Sequence, residues 1–456
     1  RGNYPDHFSI EGCYEPAATL PADSTAWSPI MGKQRLCPDR EHTFTREVVC
    51  APGQKFSHVR LTIFPDGGVI RRALDCEDTR LLALALETAG WGVEWSGDGT
   101  VRVGPRRAVR GRPRLDLGNS GTGSRLLLAL LAATPGTTVL DGTDRLRQRP
   151  MGPLVDALRQ LGAAIEPEDR QALPLTINGR RLAGGAVRIR PEVSSQFVSA
   201  LALVGPLFRD GLDLRVDGPL PSSPYLELTC DALAAFGAGV DVAPDRRRWR
   251  IEAGGVAPTE VAVEGDWSAA AFPMCAAGVA GGTVAVAPLA GDSRQGDRVI
   301  LEILARGGVQ FDHRGDEIVA RGPMMSLIEA DLTDCPDAFP ALVAAAAARA
   351  PGSLFTGLGA LVHKESDRLG VMVDNLSRLG ARFEWSGTQV RVLGPVQRDG
   401  AVRSVRSADD HRIAMAMAVA SLAAGPLDLD DGACVRKSFP AFWDAWSALT
   451  GHEVQR

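Results

Sequence analysis

Apolar residues fall three or four apart in LLALALETAGWGVEW (81–95), PLVDALRQLGAAIE (153–166), YLELTCDALAAFGAGV (225–240), VILEILARGGVQF (299–311) and LGVMVDNLSRLGARFEW (369–385). Each run meets a glycine and changes to short alternation, which predicts an amphipathic helix stopped by a glycine cap and feeding a strand. FPAFWDAWSALTG (439–451) is a weaker sixth copy. A second set is apolar on almost every side: SRLLLALLA (124–132), SSQFVSALALVG (194–205), SAAAFPMCAAGVAG (268–281), AFPALVAAAAARA (338–350) and HRIAMAMAVASLA (411–423). These are expected as buried helices beneath the first set. Turn-and-strand segments such as TTVLDG and GTVAVAP follow them. A unit of two helices and several short strands thus recurs about six times, which implies an α/β fold assembled from copies rather than one doubly wound sheet.

The copies divide into two sets of three about DVAPDRRRWRIEAGGVAPTEVAVEGD (241–266), the expected crossing between domains. Residues 1–45 are polar, proline-containing and aperiodic, and are expected to be an N-terminal extension, packed on the surface or mobile. A chain of 456 residues can hold two or three cores. Its net charge of -5 argues against general affinity for nucleic acid or an anionic membrane, and the basic runs PRRAVRGRPR (105–114) and DRRRWR (245–250) lack the interleaved aromatics of a single-strand platform. Eight cysteines without a CxxC pair and seven scattered histidines without HExxH imply reduced thiols, a cytoplasmic setting and no metal site. With no 18-residue apolar span and no positively flanked apolar start, neither a membrane segment nor a secretory signal is expected.

The unusual residues gather in the joints that follow strands or open helices. These joints supply Lys55, Arg60, Arg149, Lys364, Arg368, Arg412 and Lys437, with hydroxyls at Ser194, Ser195 and Ser222. So many cations at the joints of an apolar, repetitive fold point to a polyanionic ligand. Asp337, Glu365, Asp367, Asp409 and Asp410 are interspersed with them, as proton transfer would require. LDLGNSGTGSR (115–125) has glycines at 118, 121 and 123 ahead of an apolar helix, which frees backbone N–H groups either for an anion or for a tight structural turn. No Walker lysine follows it. Ser194 and Ser195, without hydrolase context, read as phosphate ligands or helix caps.

In order along the chain, LDLGNSGTGSRLLLALLA, RPMGPLVDALRQLGA, SSQF, VEGDWSAAAF, PDAFPALVAAAAA, HKESDRLG, DDHRIAMAMAV and KSFPAFW resemble the enolpyruvyl transferases, above all the 5-enolpyruvylshikimate-3-phosphate synthase family, over about residues 47–450. The resemblance implies an inverse α/β barrel of two domains, each of three βαβαββ repeats. In that reading 46–52 is a first strand belonging to the C-terminal-half domain, 53–262 the acceptor-side domain and 263–456 the phosphoenolpyruvate-side domain. It also implies transfer of the enolpyruvyl group of phosphoenolpyruvate to a hydroxyl of a phosphorylated acceptor, without cofactor or metal, by a monomer. Lys55, Arg149, Arg368, Arg412 and Lys437 resemble the groups that hold phosphoenolpyruvate, and Asn119, Gly121 and Thr122 the loop beside it. Ser194, Ser195 and Ser222 resemble the serines around the acceptor phosphate, Gln196 and Tyr225 residues lining the acceptor ring, and Arg60 the acceptor's carboxylate partner. Asp337 resembles the acid at the acceptor hydroxyl, and Glu365 a proton-transfer residue. Lys364, whose family equivalent faces the acceptor, is the other candidate for proton work; Asp337, Glu365 and Lys364 with Lys55 make the catalytic set that the resemblance implies.

The chain departs from that pattern on the acceptor side. It reads PGQKF where the family has PGSKS, so Phe56 stands for a serine. LTIFPDGGVIRRALD stands where an alanine- and leucine-rich helix is usual, and Ala360, Leu361 and Val362 stand where the family has asparagine, tryptophan or leucine, and arginine. Two alternatives follow: a non-shikimate acceptor of specialised metabolism, or an inactive relative serving as a binding protein.

Overall fold

The computed structural model describes residues 7–13, 28–35, 58–64, 68–167, 171–257, 259–451 and 454, and for residues below 68 it describes backbone only. Strands β1 (His7–Cys13), β2 (Ser28–Arg35) and β3 (His58–Phe64) form a separate antiparallel sheet in the order β2-β1-β3. This corrects the aperiodic reading of residues 1–45. Alternation of Phe8 and Ile10 in HFSIEGC was the signal for β1, too short to stand out among the turn residues around it.

The chain continues through β4 (Gly68–Arg71), α1 (Glu77–Thr88), β5 (Trp91–Trp95) and β6 (Val101–Arg106). A second copy has β7 (Arg114–Asp116), α2 (Gly121–Ala132), β8 (Gly136–Asp141), the short α3 (Asp144–Gln148), α4 (Gly152–Gln160), β9 (Ala164–Glu166) and β10 (Leu175–Gly179). A third has β11 (Gly185–Ile189), α5 (Gln196–Val204), β12 (Leu212–Val216), α6 (Pro224–Ala235), β13 (Val240–Val242) and β14 (Arg248–Ile251). Then come β15 (Glu260–Ala262), α7 (Trp267–Ala280), β16 (Thr283–Val286), α8 (Ile300–Arg306), β17 (Gln310–Arg314) and β18 (Glu317–Arg321). The fifth has β19 (Glu329–Asp331), α9 (Phe339–Arg349), β20 (Leu354–Thr356), α10 (Arg368–Arg378), β21 (Arg382–Trp385) and β22 (Val390–Gly394). The last has β23 (Arg403–Val405), α11 (His411–Ala424), β24 (Leu427–Leu429) and α12 (Phe442–Thr450).

Three mixed sheets share one pattern, a parallel first pair followed by two antiparallel strands: β7-β8-β10-β9, β11-β12-β14-β13 and β19-β20-β22-β21. A fourth, β15-β4-β6-β5, has the same order but takes its first strand from far along the chain, so β15 lies parallel to β4. No helix can link that pair directly. Among the described residues the sheet carries only α1, where each of the other three carries a further helix between its first two strands. Pro65 and the Gly67-Gly68 pair explain the difference, because LTIFPDGGVIRR cannot sustain a helix and supplies β3 and β4 instead.

The glycine stops are where the pattern placed them. Gly90, Gly162, Gly237, Gly308 and Gly380 all have positive φ just beyond α1, α4, α6, α8 and α10. The second helix set is buried: α7, α9 and α11 pack on one another in a cluster running from Trp267 to Trp446, and α2 packs on α5 in a separate cluster from Ala85 to Ile251. Two apolar cores leave the charged joints to face each other across the seam between them.

Candidate active site

Each predicted site residue with a described side chain lies in the first turn of a helix or the segment leading into one. Asn119, Gly121 and Thr122 open α2, Ser194, Ser195 and Gln196 open α5, and Ser222 and Tyr225 open α6. Asp337 leads into α9, Lys364 and Glu365 precede Arg368 at the start of α10, Arg412 is the second residue of α11, and Lys437 ends a turn before α12. Helix N-termini present unpaired N–H groups and a partial positive charge, so this convergence favours an anion before any side chain is counted.

Arg368 is the centre of the cluster. It is 1% exposed; Nε donates to Asp410 Oδ2 (2.9 Å), Nη1 to Asp337 Oδ1 (2.7 Å), and Nη2 to Glu365 Oε2 (2.7 Å) and Asp410 Oδ1 (3.1 Å). Asp337 also meets Lys364 Nζ at 3.1 Å and Arg412 Nη2 at 3.6 Å. Lys364 and Arg368 are four residues apart, yet they do not share a helix face. Lys364 lies before α10, and both cations meet the same Asp337 oxygen.

Arg149 comes from the other core. It is buried, donates to Asn119 O (3.2 Å) and Glu365 Oε1 (3.4 Å), and leaves Nε without a partner among the described residues. Its guanidinium lies against Gly121, where an added Cβ would come within 2.4 Å of the guanidinium carbon, so glycine is required for close approach. Asn119 Nδ2 donates to Glu365 O (3.5 Å), and its buried Oδ1 has no partner among the described residues. Buried polar atoms are nearly always paired, so these two mark a place where a ligand would complete the set.

Gln196 Nε2 donates to Thr122 Oγ1 (2.8 Å) and Ser195 Oγ to Ser222 O (3.1 Å). Ser222 has φ 56°, uncommon for a side-chain-bearing residue. Tyr225 Oη donates to Asp297 Oδ2 (2.6 Å). Lys437 Nζ is held by both oxygens of Asp78 on α1, at 2.5 and 2.6 Å. Lys55 lies outside the described residues. So does the side chain of Arg60, whose backbone is in β3 opposite Glu11. Phe56 and the expected strand 46–52 are outside as well.

Charge balance sets the protonation states. Burial pushes the Glu365 carboxyl up, but Arg149, Arg368 and Lys437 together hold it well below the carboxylate range. Burial acts on Asp337 in the same sense and is likewise overcome, by Lys364, Arg412 and Arg368. Both acids are therefore ionised, able to accept a proton rather than supply one. Burial lowers His411 to about 3, so its imidazole is neutral.

Sequence patterns missed several members. Arg125, the single charge in GSRLLLALLA, is buried; Nη1 donates to Gln196 Oε1 (2.7 Å) and Ser194 Oγ (3.4 Å), and burial with Arg149 nearby lowers it to about 9. Its isolation in an apolar run was the available signal. Arg145 crosses the seam: Nη2 donates to Val362 O (2.9 Å) and Lys364 O (2.8 Å), and Nε to Lys364 O (3.1 Å) and Glu365 O (3.2 Å). The polar groups used at 362–365 include backbone carbonyls, which no side-chain pattern reveals. Ser268, Asp297 and Asp78 gave no signal, their partners lying far away in sequence.

A cleft of ≈ 1790 Å³ opens elsewhere, beside β16, β24 and α12, and none of the predicted site residues lines it. Charge rather than volume marks the site. Among the described residues no group of three or more His, Cys, Asp or Glu could hold a metal ion.

Comparison with known proteins gives this geometry a family. The model of EPSP synthase (3-phosphoshikimate 1-carboxyvinyltransferase) matches residues 47–446. The 3-phosphoshikimate 1-carboxyvinyltransferase of Methanoculleus marisnigri is 37% identical over 382 residues, covering 82% of this chain and 89% of its own; that of Shewanella baltica is 33% identical over 385 residues, covering 83% and 90%. The solved EPSP synthase of Acinetobacter baumannii superposes with a TM-score of 0.66 at 26% identity, over 84% of this chain and 89% of that one. The enolpyruvyl transferase NikO from Streptomyces tendae, at 20% identity and a TM-score of 0.67 over 85% and 90%, shares the fold. A second model, the allantoicase repeat, matches residues 1–74, which include β1–β3, so both models claim 47–74 and the segment carrying Lys55 and Arg60. The match to the first model takes in every described residue of the charged cluster, and the chain belongs to the EPSP synthase family.

Proposed function

We propose that the chain transfers the enolpyruvyl group of phosphoenolpyruvate to a hydroxyl of shikimate 3-phosphate or a related phosphorylated acceptor, releasing phosphate. One observation carries this reading: Arg149, Lys364, Arg368 and Arg412 converge with Asp337, Glu365 and Asp410 from two separate cores, with Arg145 and Lys437 at the edge. Six cations meet there, two from the first core and four from the second, and phosphate and carboxylate are the anions that such guanidinium and ammonium groups hold well.

In this reading Arg149, Arg368, Arg412 and Lys437 hold phosphoenolpyruvate with Asn119, Gly121 and Thr122 beside it, while Ser194, Ser195 and Ser222 take the acceptor phosphate. Asp337 accepts the acceptor's hydroxyl proton as its oxygen bonds to the central carbon of phosphoenolpyruvate, and the methylene carbon gains a proton from Glu365 or Lys364. The tetrahedral adduct then returns the methyl proton to the group that supplied it and expels phosphate, which carries off the hydroxyl proton held by Asp337. Glu365 is ionised at rest because Arg149 and Arg368 face it. A bound anion that engages those arginines would weaken their hold and bring the carboxyl into range to receive and return a proton. The two domains of residues 53–262 and 263–456 would close on both substrates, excluding water.

Ala360 and Val362, in place of the family's asparagine and arginine, favour a related acceptor over shikimate 3-phosphate itself. The test is incubation with phosphoenolpyruvate and a panel of phosphorylated hydroxy acids that includes shikimate 3-phosphate, read by mass spectrometry for an added enolpyruvyl unit. Transfer with stoichiometric phosphate release is expected. Phosphoenolpyruvate binding without transfer to any acceptor would leave a binding protein.

A further inference from the structure

The acceptor side holds a carboxylate with no assigned role. Asp297 lies in the turn Gly296–Val299 just before α8, fully buried, and both of its hydrogen bonds fall on one oxygen: Oδ2 accepts from Tyr225 Oη (2.6 Å) and from Ser268 Oγ (2.6 Å). Oδ1 has no partner among the described residues. Asp337 and Arg412 are the charged groups that act on it, and neither is hydrogen-bonded to it. A buried carboxyl beside another carboxylate is costly to keep for packing alone.

Its two donors come from different cores. Ser268 opens α7 in its own half, whereas Tyr225 opens α6 in the other. The residues just before Tyr225 are held from the same side: Ser222 N donates to Thr333 O (3.1 Å) and Ser223 N to Asp334 Oδ1 (3.0 Å). A Cβ at Gly296 would lie 2.8 Å from Asp334 O and 3.3 Å from the Pro224 ring, so the Gly296 backbone meets the Asp334 carbonyl and that ring without room for a side chain. The first half carries Ser222–Tyr225, and the second half places them.

We propose that Asp297 is a positioning residue for the acceptor: from across the seam it fixes the Tyr225 ring and so ties the shape of the acceptor pocket to the docking of the second half. This rests on the reading above, in which Tyr225 lines the acceptor ring. Asp297 acts as a hydrogen-bond acceptor, so its charge is dispensable and its oxygen is not.

The full chain tests this with the acceptor identified by the mass-spectrometric screen. Tyr225→Phe and Asp297→Ala are each expected to raise the KM for acceptor by about tenfold, with kcat and the KM for phosphoenolpyruvate within about threefold. Asp297→Asn keeps an acceptor oxygen and restores all three values to within about threefold, and the Tyr225→Phe/Asp297→Ala pair is no worse than Asp297→Ala alone. Tyr225→Phe leaves the buried carboxyl in place, so the kinetic arm survives should Asp297→Ala fail to fold. A second readout needs no activity: the chain has 3 tyrosines, and burial together with Asp297 holds the Tyr225 phenol well above its ordinary range. Ultraviolet titration should lose its latest-ionising phenol in Tyr225→Phe and move it to lower pH in Asp297→Ala. Transfer by the unaltered chain with the acceptor KM unmoved in Tyr225→Phe overturns the positioning role alone. Absence of transfer by the unaltered chain, with the phenol shift intact, overturns the functional reading on which it rests.

Discussion

A methyl group at position 121 would fall 2.4 Å from the guanidinium carbon of Arg149, so Gly121→Ala must displace the arginine that reaches Glu365 across the seam. We expect the KM for phosphoenolpyruvate to rise about tenfold or more in steady-state assays while the fold survives, because the strain falls on the end of a flexible side chain. His411 makes a different prediction. Burial lowers its folded pKa to about 3 from 6.5, so the unfolded chain binds the extra proton first and stability is lost as pH falls below 6.5. His411→Asn should remove about 2 kcal/mol of the stability lost between pH 7 and pH 5, read by urea unfolding at both values. The same residues show what sequence can disclose. Lysines and arginines in polar joints stand out against an alanine-rich chain, and Arg149, Lys364, Arg368 and Arg412 were legible on that ground. Asp297, in an ordinary polar turn, and Arg125, a lone charge in an apolar helical run, were not used, because each gains its meaning from a residue 72 or 71 positions away.

At the scale of elements, the glycine after each amphipathic run and the apolar excess of α2, α5, α7, α9 and α11 made helices and their stops readable. Both signals are local: a left-handed residue ends a helix, and an all-apolar helix must be covered. Caps are equally local. Asp266 Oδ1 accepts from Ser268 N (2.8 Å) and Ala269 N (3.2 Å) at the start of α7, so Asp266→Ala should cost about 1 kcal/mol in denaturant unfolding. What could not be read was partnership. β4 is four residues long and joins β15 from the far side of the chain, and β1 and β2 hide among turn residues; such pairing depends on long-range register, which leaves little trace in a short window.

At the scale of the molecule, the two cores meet through Arg145, Asn119, Arg149 and the 362–365 turn. Arg145→Ala removes every hydrogen bond from that guanidinium to the turn. We expect a larger radius of gyration by solution scattering without substrates and contraction when phosphoenolpyruvate and acceptor are both added; an unchanged radius in either comparison would count against substrate-driven closure. Lys437 and Asp78 stand 359 positions apart and bind through both carboxylate oxygens. The pair fastens the first helix after β4 to the last turn before α12, so most of the polypeptide lies within one loop closed by an ion pair. The two buried cores and the β15–β4 pairing hold the chain together independently of its continuity, so a single protease nick in an exposed turn between them should release nothing. The fragments would travel together through gel filtration as one particle, and the chain could be divided at such a turn and rebuilt from its pieces.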